Sequence, residues 1–462
     1  MDGVDRLVER SRQPVDPASL AVFRICFGLI ALWEVGRYFH HDWIHRYWEE
    51  PKFHFHYVGW GWVEPLPAPG MVVLWGVLGA AALCIAVGAF YRLATVVFAV
   101  GFGYSFLLET ARYLNHFYFI ELLAILLVFV PAHRVWSVDA WRHRWGHRQP
   151  SPAWATAWAP AWALWLLRFQ IAVVYVGGGI AKMDPDWLRG QPMGAWLSHD
   201  TDFIFIGGLF DHPWAGIVAA WMGMFFDLGI VFAVWWGTTR LLALNAAVLF
   251  HLINSELFVI GVFPFLALAS LLLFCPPDWP RQVVAELQAR KRTPRVFDPP
   301  GDRPRFAHAW FALAALFVAA QVLIPLRHIV MPGRAAWTEA GHTFSWHMKL
   351  RDKEGEARFR VVDPKSGKAT LVDPRNELTS WQYTAMTGRP ELLRQYAAHL
   401  ATTMTADGRR PKVQALTAVT LNGREPQPLI DPSVDLGAQR PTLGTPPWVV
   451  PLKQPLPKHP DL

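Results

Sequence analysis

The sequence predicts a polytopic α-helical membrane bundle of about eight to nine spans, followed by an outer, mainly β (α+β) C-terminal domain. Three observations predict it. Hydrophobic residues make up 53% of the 462 positions and charged residues only 17%, too apolar for an ordinary soluble domain of this size. Several stretches reach the roughly 18–25 apolar residues that a bilayer crossing requires. Beyond about residue 330 the chain turns polar and carries strand and turn signals.

Spans are expected near Ser19–Phe39, Met71–Phe90, Leu93–Leu108, His116–Val130, Trp162–Ile180, Trp214–Trp236, Leu241–Ile253, Leu257–Phe274 and Ala309–Leu326. The first has no small-residue cleavage site after a short apolar core, so it reads as a retained membrane helix. The loop Arg37–Gly70, crowded with aromatic and His residues, is long for an exterior connection and is expected to fold over the membrane surface. In the polar part, Ser345–Lys349, Ala357–Val362 and Ala369–Val372 alternate as short strands, separated by the turn sequences DKEG and DPKSGK. Ser380–Thr402 has helical periodicity, broken near Gly388–Pro390. Val413–Leu421 is a further strand ending in an Asn422-Gly423 turn, and the Pro-rich tail from Arg440 reads as extended chain over the domain. The expected division is 1–330 for the transmembrane part and 331–462 for the outer domain.

A net charge of +7 invites a nucleic-acid partner, but the distribution of the basic residues excludes that reading. Arg6, Arg10 and Arg12 precede the first span; Arg134, Arg142, Arg144 and Arg148 follow the fourth; Arg281, Arg290, Lys291, Arg292 and Arg295 follow the eighth. With nine crossings all three groups fall on one face, which the positive-inside rule makes cytoplasmic. The N-terminus is then cytoplasmic and the C-terminal domain extracytoplasmic. Cys26, Cys84 and Cys275 lie in or beside spans, so no disulfide framework and no Cys-based metal site is expected.

The polar residues at the span ends carry the chemistry. Lys182 closes one of the longest apolar runs, AWALWLLRFQIAVVYVGGGIAKMDPD, where partial burial favours a neutral amine that can act as a base. Counting crossings brings Asn115 and His116, Lys182, and His251 with Asn254 to the same outer membrane depth. Polar groups there mark a function by default, while interhelical hydrogen bonding is the plainer account of His and Asn. Deeper, Arg168 and Asp227 on antiparallel spans are expected to meet as a structural ion pair, and Arg24 and Glu34 are further buried charges. VGGGIAK lacks the spacing of a phosphate loop, and no HExxH, other metal spacing or Ser nucleophile elbow is present.

Long segments resemble one known family. PVDPASLAVFRICFGLI, NHFYFIELLAILLVFVPAHRVWSVD, LRFQIAVVYVGGGIAKMDPDW, FHLINSELFVIGVF and LLFCPPDWP are similar to the vitamin K-dependent gamma-glutamyl carboxylase family. So are FSWHMKLRDKEG, LLRQYAAHLA and LNGREPQPLIDPSVDL. The resemblance implies an integral membrane enzyme that oxidises reduced vitamin K, a hydroquinone, with O2 to the epoxide. That oxidation generates a base that removes a γ-proton from glutamate, and the carbanion adds CO2. By resemblance the base that deprotonates the hydroquinone falls on Lys182, and the active-site Asn-His pair falls on Asn115 and His116. His251 and Asn254 would position quinone or substrate. Family members carry two adjacent lysines where this chain has Ala181 and Lys182. The implied partners are membrane lipid, the quinol, O2, CO2 and a glutamate-containing peptide or protein; no metal is implied. Composition suggests a bacterial member in the inner membrane. The alternatives are a quinol epoxidase without glutamate carboxylation, and a non-catalytic lipid- or quinone-binding membrane protein.

Overall fold

The computed structural model describes residues 3–146, 158–203, 206–258, 260–288, 307–405 and 407–457. Arg148, Arg290, Lys291, Arg292 and Arg295 of the basic groups lie outside the described residues.

Each expected span overlaps a helix, the eighth, Leu257–Phe274, only from Phe263 on. The helices are α1 (Ala18–His40), α2 (Gly70–Val87), α3 (Tyr91–Leu107), α4 (Asn115–Phe129), α5 (Ala161–Ala181), α6 (Pro213–Trp235), α7 (Arg240–Leu257), α8 (Phe263–Leu271) and α9 (Ala307–Leu326). Among the described residues five helical stretches are long and apolar enough to cross a membrane: α1, α2, α5, α6 and His308–Val330. A sixth arises if Phe263–Phe274 and Trp279–Leu287, bent by 91°, form one span; α3 and α4 are shorter apolar helices. Local sequence sets the ends. Gly88 stops α2 in the left-handed conformation (φ 67°), where a side chain would also strike the Arg24 guanidinium, and Pro213 starts α6 at its first turn.

One apolar core runs through the bundle and includes Phe23, Phe27, Trp75, Phe98, Leu123, Leu167 and Ile171. Tyr38 stacks on Trp75 with ring centroids 3.6 Å apart. Many outward residues of the same helices are large and apolar, among them Leu93, Val100, Met222 and Leu241, as expected of surface facing lipid.

The C-terminal region is α+β, with helices as prominent as strands. An antiparallel sheet in the order β2-β1-β3 combines β1 (Gly355–Val362), β2 (Ala369–Val372) and β3 (Lys412–Val419), with Phe359 opposite both Val372 and Ala415. Ala357, Phe359 and Val361 point inward with the period of two that a half-buried strand requires. Two helices, α10 (Ser380–Thr387) and α11 (Pro390–Thr403), cover it, and α10 starts at a Thr379–Gln382 capping box. The tail lies over this core: Val449 bridges Ile430, and Trp337 Nε1 donates to the Val450 carbonyl at 2.7 Å.

Ser345–Lys349 is not a strand. Phe344, Trp346 and Lys349 all have positive φ (64°, 56° and 51°), which breaks the pleat that their alternating polarity suggested. The segment instead dives into the helical bundle, and Trp346 joins the bundle core with no exposed surface. The loop after α1 also does more than cover a surface. Phe55 packs in the C-terminal core, and the buried Glu109 accepts from Phe55 N, Ala111 N and Gln382 Nε2.

Candidate functional site

The site forms where the start of α4, the end of α5 and the middle of α6 meet the Trp346–Met348 segment, with α7 joined to α5 through His251 and Tyr175. Gly177, Gly178 and Gly179 close the last turn of α5 and make that meeting possible. A Cβ on Gly177 would lie 2.9 Å from the Trp346 ring, and one on Gly178 3.1 Å from the Met348 methyl and 3.3 Å from an Asp227 oxygen. The run that lacks phosphate-loop spacing is a groove for another part of the chain.

Lys182 caps α5, its side chain only 9% exposed. Nζ donates to Asp227 Oδ2 at 2.6 Å and sits 5.4 Å from the centre of the Trp187 ring. Trp187 is in turn held by its Nε1 bond to the Ala220 carbonyl, 2.8 Å. The expected Arg168–Asp227 pair is therefore incorrect. Asp227 lies level with Gly178, whereas Arg168 lies over the Trp235 ring at 4.8 Å. Ten residues of helix, about 15 Å, separate the two depths. Arg168 instead donates to the carbonyls of Leu273 (2.6 Å) and Cys275 (2.9 Å), which the end of the α8 region leaves free. Likewise Glu34 bonds Arg37 at 2.6 Å, and Arg24 donates to the Trp136 carbonyl at 2.6 Å.

Asn115 opens α4 and faces the inserted segment. Its Nδ2 donates to the His347 carbonyl at 3.1 Å, and its Oδ1 accepts from the Tyr113 hydroxyl at 2.9 Å. Tyr113 also accepts from Phe344 N at 2.8 Å. His116 packs against Phe117 and, more loosely, Phe263, whose ring centroid lies 6.5 Å away. His251 reaches the same Phe263 ring at 6.2 Å, so one phenyl group lies within reach of both imidazoles. His251 is buried and shares a 2.8 Å hydrogen bond with the Tyr175 hydroxyl. Asn254 turns its amide back onto the Phe250 carbonyl of its own helix, 2.7 Å away.

Tyr175 and His347 had not been singled out by sequence, and Asp227 had been expected only as a structural partner of Arg168. Tyr175 stands seven residues before Lys182 on α5, hence on the same face, a spacing legible in advance. His347 left no such signal, since only the three-dimensional path brings it here. It is 8% exposed, and its Nε2 is buried without a hydrogen-bond partner. Its ring meets those of His328 and His342 edge-on, 4.5 and 5.1 Å between centroids. Burial, then the nearby His328, Arg351, Arg327 and Lys182 charges, push His347 down to about 3, so it is neutral at neutral pH.

A second polar contact pins the C-terminal region to the same end. Asp186, four residues past Lys182, accepts both Arg424 Nη1 (2.6 Å) and Nη2 (2.8 Å), as well as Asn422 Nδ2 (3.0 Å). Arg334 adds a 3.0 Å ion pair. Burial alone would raise the Asp186 carboxyl, but Arg424, Arg334 and Asn422 more than offset it and hold the group below its ordinary value.

Fold and site together define a helical protein of membrane type whose C-terminal region completes a buried Lys–Asp centre at one end of the bundle. The HTTM domain family matches residues 12–279, and the vitamin K-dependent gamma-carboxylase lumenal domain matches residues 306–455. The chain belongs to the vitamin K-dependent gamma-carboxylase family. No solved structure matches it.

Proposed function

We propose that the protein oxidises a lipid-borne hydroquinone, reduced vitamin K, with O2 to the epoxide and couples this to CO2 addition at the γ-carbon of a glutamate side chain. The observation that supports it best is the buried Lys182–Asp227 pair, closed over by Trp346–Met348, in a chain of this family. Reduced vitamin K supplies, on reaction with O2, the base strong enough to take the γ-proton. The protein's share is to bind, orient and exclude water. The amine and carboxylate of the pair hold one proton between them, and their unfilled acceptor takes the second from a phenolic hydroxyl presented at the hydrocarbon edge. The acceptor is thus the pair, not a lone neutral amine. The fit of a quinol head group here rests on unmatched polar atoms: Trp346 Nε1 and His347 Nε2 are buried without partners.

In this reading His116 assists the carbanion and carboxylation step, and Asn115, His251 and Asn254 position the substrates. Asn115 does so through the inserted segment that it holds. Residues 1–330 form the membrane part and 331–462 the outer domain. The basic segments Gly3–Arg12 and Val138–Gly146 and the Arg281 region lie away from the Lys182 end, with Arg281 on Asp16 at 2.8 Å. That sorting favours a cytoplasmic N-terminus and an outer site, and the composition is what suggests a bacterial inner membrane.

The test is epoxide formation from vitamin K hydroquinone by protein in nanodiscs, with labelled CO2 and a short glutamate peptide present. Epoxide and labelled peptide are expected, and both vanish in Lys182→Ala. Lys182→Arg fails as well, because the larger planar guanidinium cannot take the place of the compact ammonium 2.6 Å from Asp227 and 5.4 Å from the Trp187 ring centre. Epoxide without label identifies an epoxidase directed away from this acceptor. Neither product from folded protein replaces the catalytic reading with a quinone-binding one.

A further inference from the structure

A cavity of about 340 Å³ lies apart from the Lys–Asp centre, between α3 and α4 under the loop that carries Trp60 and Trp62. Its wall is apolar except at one point. Ala99, Val100, Leu107 and Ile125 contribute its aliphatic side, and Glu121 enters from α4. The carboxyl group fits only because residue 103 is glycine, where a Cβ would come within 2.8 Å of Glu121 Oε1. Glu121 Oε2 is buried and has no hydrogen-bond partner. Of the other polar groups in the lining, the Tyr104 hydroxyl is already committed to the Glu64 carbonyl at 2.6 Å, and neither the Trp60 nor the Trp62 indole N–H bonds Glu121 Oε2. An acceptor buried this way is costly unless a donor reaches it, and among the described residues none does.

The cavity opens outward: Val100 is 69% exposed and Trp62 73%. The indole pair Trp60–Trp62, with centroids 5.6 Å apart, gives its rim the character of an interfacial belt. Glu121 lies six residues, about 9 Å, below the start of α4, beyond the reach of a phospholipid head group that must stay in water. The volume is at the small end of ligand sites, about 300–1,000 Å³, so it suits the head of a chain whose tail leaves through the open side. We propose that this cavity binds an otherwise apolar lipid bearing a single hydroxyl group, a long-chain or isoprenoid alcohol, whose hydroxyl donates to Glu121 Oε2. One unfilled acceptor matches one donor; an ammonium group, with three donors, would leave two unmet.

The probe is a diazirine-bearing farnesol, photolysed with the full-length protein in nanodiscs and mapped by peptide mass. Labelling is expected on residues 99–107 and 121–125, and farnesol should compete about tenfold better than farnesene, the gain from one hydrogen bond to a carboxyl group. Glu121→Leu should remove that preference. Ala99→Leu, which fills the cavity without touching the carboxyl group, should remove the labelling while leaving epoxide formation and the unfolding temperature unchanged. Equal competition by farnesene, or labelling indifferent to Ala99→Leu, overturns the proposal. Displacement by vitamin K hydroquinone at concentrations that saturate turnover also overturns it, because the cavity would then belong to the quinol site.

Discussion

Replacing Asp227 by leucine leaves Lys182 as a buried cation with only the Trp187 ring, 5.4 Å away, to face. The pair is 2.6 Å apart, with side chains 9% and 7% exposed, so water can replace little of what is lost. Removing one partner of such a pair costs about 3–5 kcal/mol, whereas replacing both by apolar groups of similar volume is often neutral. Asp227→Leu and Lys182→Met should therefore each destabilise by that amount, and the double variant by much less than their sum. The measurement is a double-mutant cycle on unfolding free energy in nanodiscs, with epoxide formation assayed on the same samples. The double variant should recover stability without recovering activity, which separates the two roles of the pair. Additive losses would refute the coupling. Epoxide formation by the double variant would refute the pair as proton acceptor.

His347→Phe should keep the inserted segment buried while lowering turnover, measured as epoxide per protein with the unfolding temperature as control. Because His347 is held at about 3, well below its ordinary 6.5, the unfolded chain takes up a proton that the folded one refuses. Stability should fall as pH drops below 6.5, by about 1.4 kcal/mol per unit from this residue, and His347→Phe should flatten that slope. Asp186 is shifted in the same direction, downward, but for the opposite reason: its partners stabilise the charged form that burial alone would disfavour. Its stabilising contact is complete above the ordinary aspartate value of 3.8 and is lost as pH falls through the lower folded value, so acid should loosen protease-accessible loops of the C-terminal region. Arg424→Ala should bring that proteolysis to neutral pH. Gly178→Ala forces a methyl group against Met348 and Asp227 and should cost about 1–3 kcal/mol, read as a lowered unfolding temperature with reduced activity.

The helices were legible because lipid-facing segments must be continuously apolar, and each expected span finds its helix. β2 and the break between α10 and α11 were equally plain, since Gly388 and Pro390 punctuate the pattern. Arg168 and Asp227 were misjudged because counting turns from helix ends assumes that antiparallel neighbours start level. Here the short helices Pro185–Leu188 and Met193–Leu197 lift the start of α6 beyond the end of α5. The polarity of Ser345–Met348 imitates a strand because Ser345 and His347 alternate with Trp346 and Met348. The pattern is silent on the left-handed turns that send the segment inward, which residues other than glycine rarely adopt. Lys182 was legible as a charge closing an apolar run. Its partner was not, because pairing depends on register between distant helices.

The Trp346–Met348 insertion also fixes an order of events during synthesis. Helices α5 and α6 are both made by residue 235, yet the groove over Gly177 and Gly178 stays unfilled until Met348 follows, more than a hundred residues later. At about 5–20 residues per second that is on the order of ten seconds in which the nascent bundle has an unfilled seam beside Lys182 and Asp227. A ribosome that stalls or terminates between the two points leaves a membrane-lodged product with its charged pair uncovered. Such a fragment would be an immediate substrate for membrane quality control.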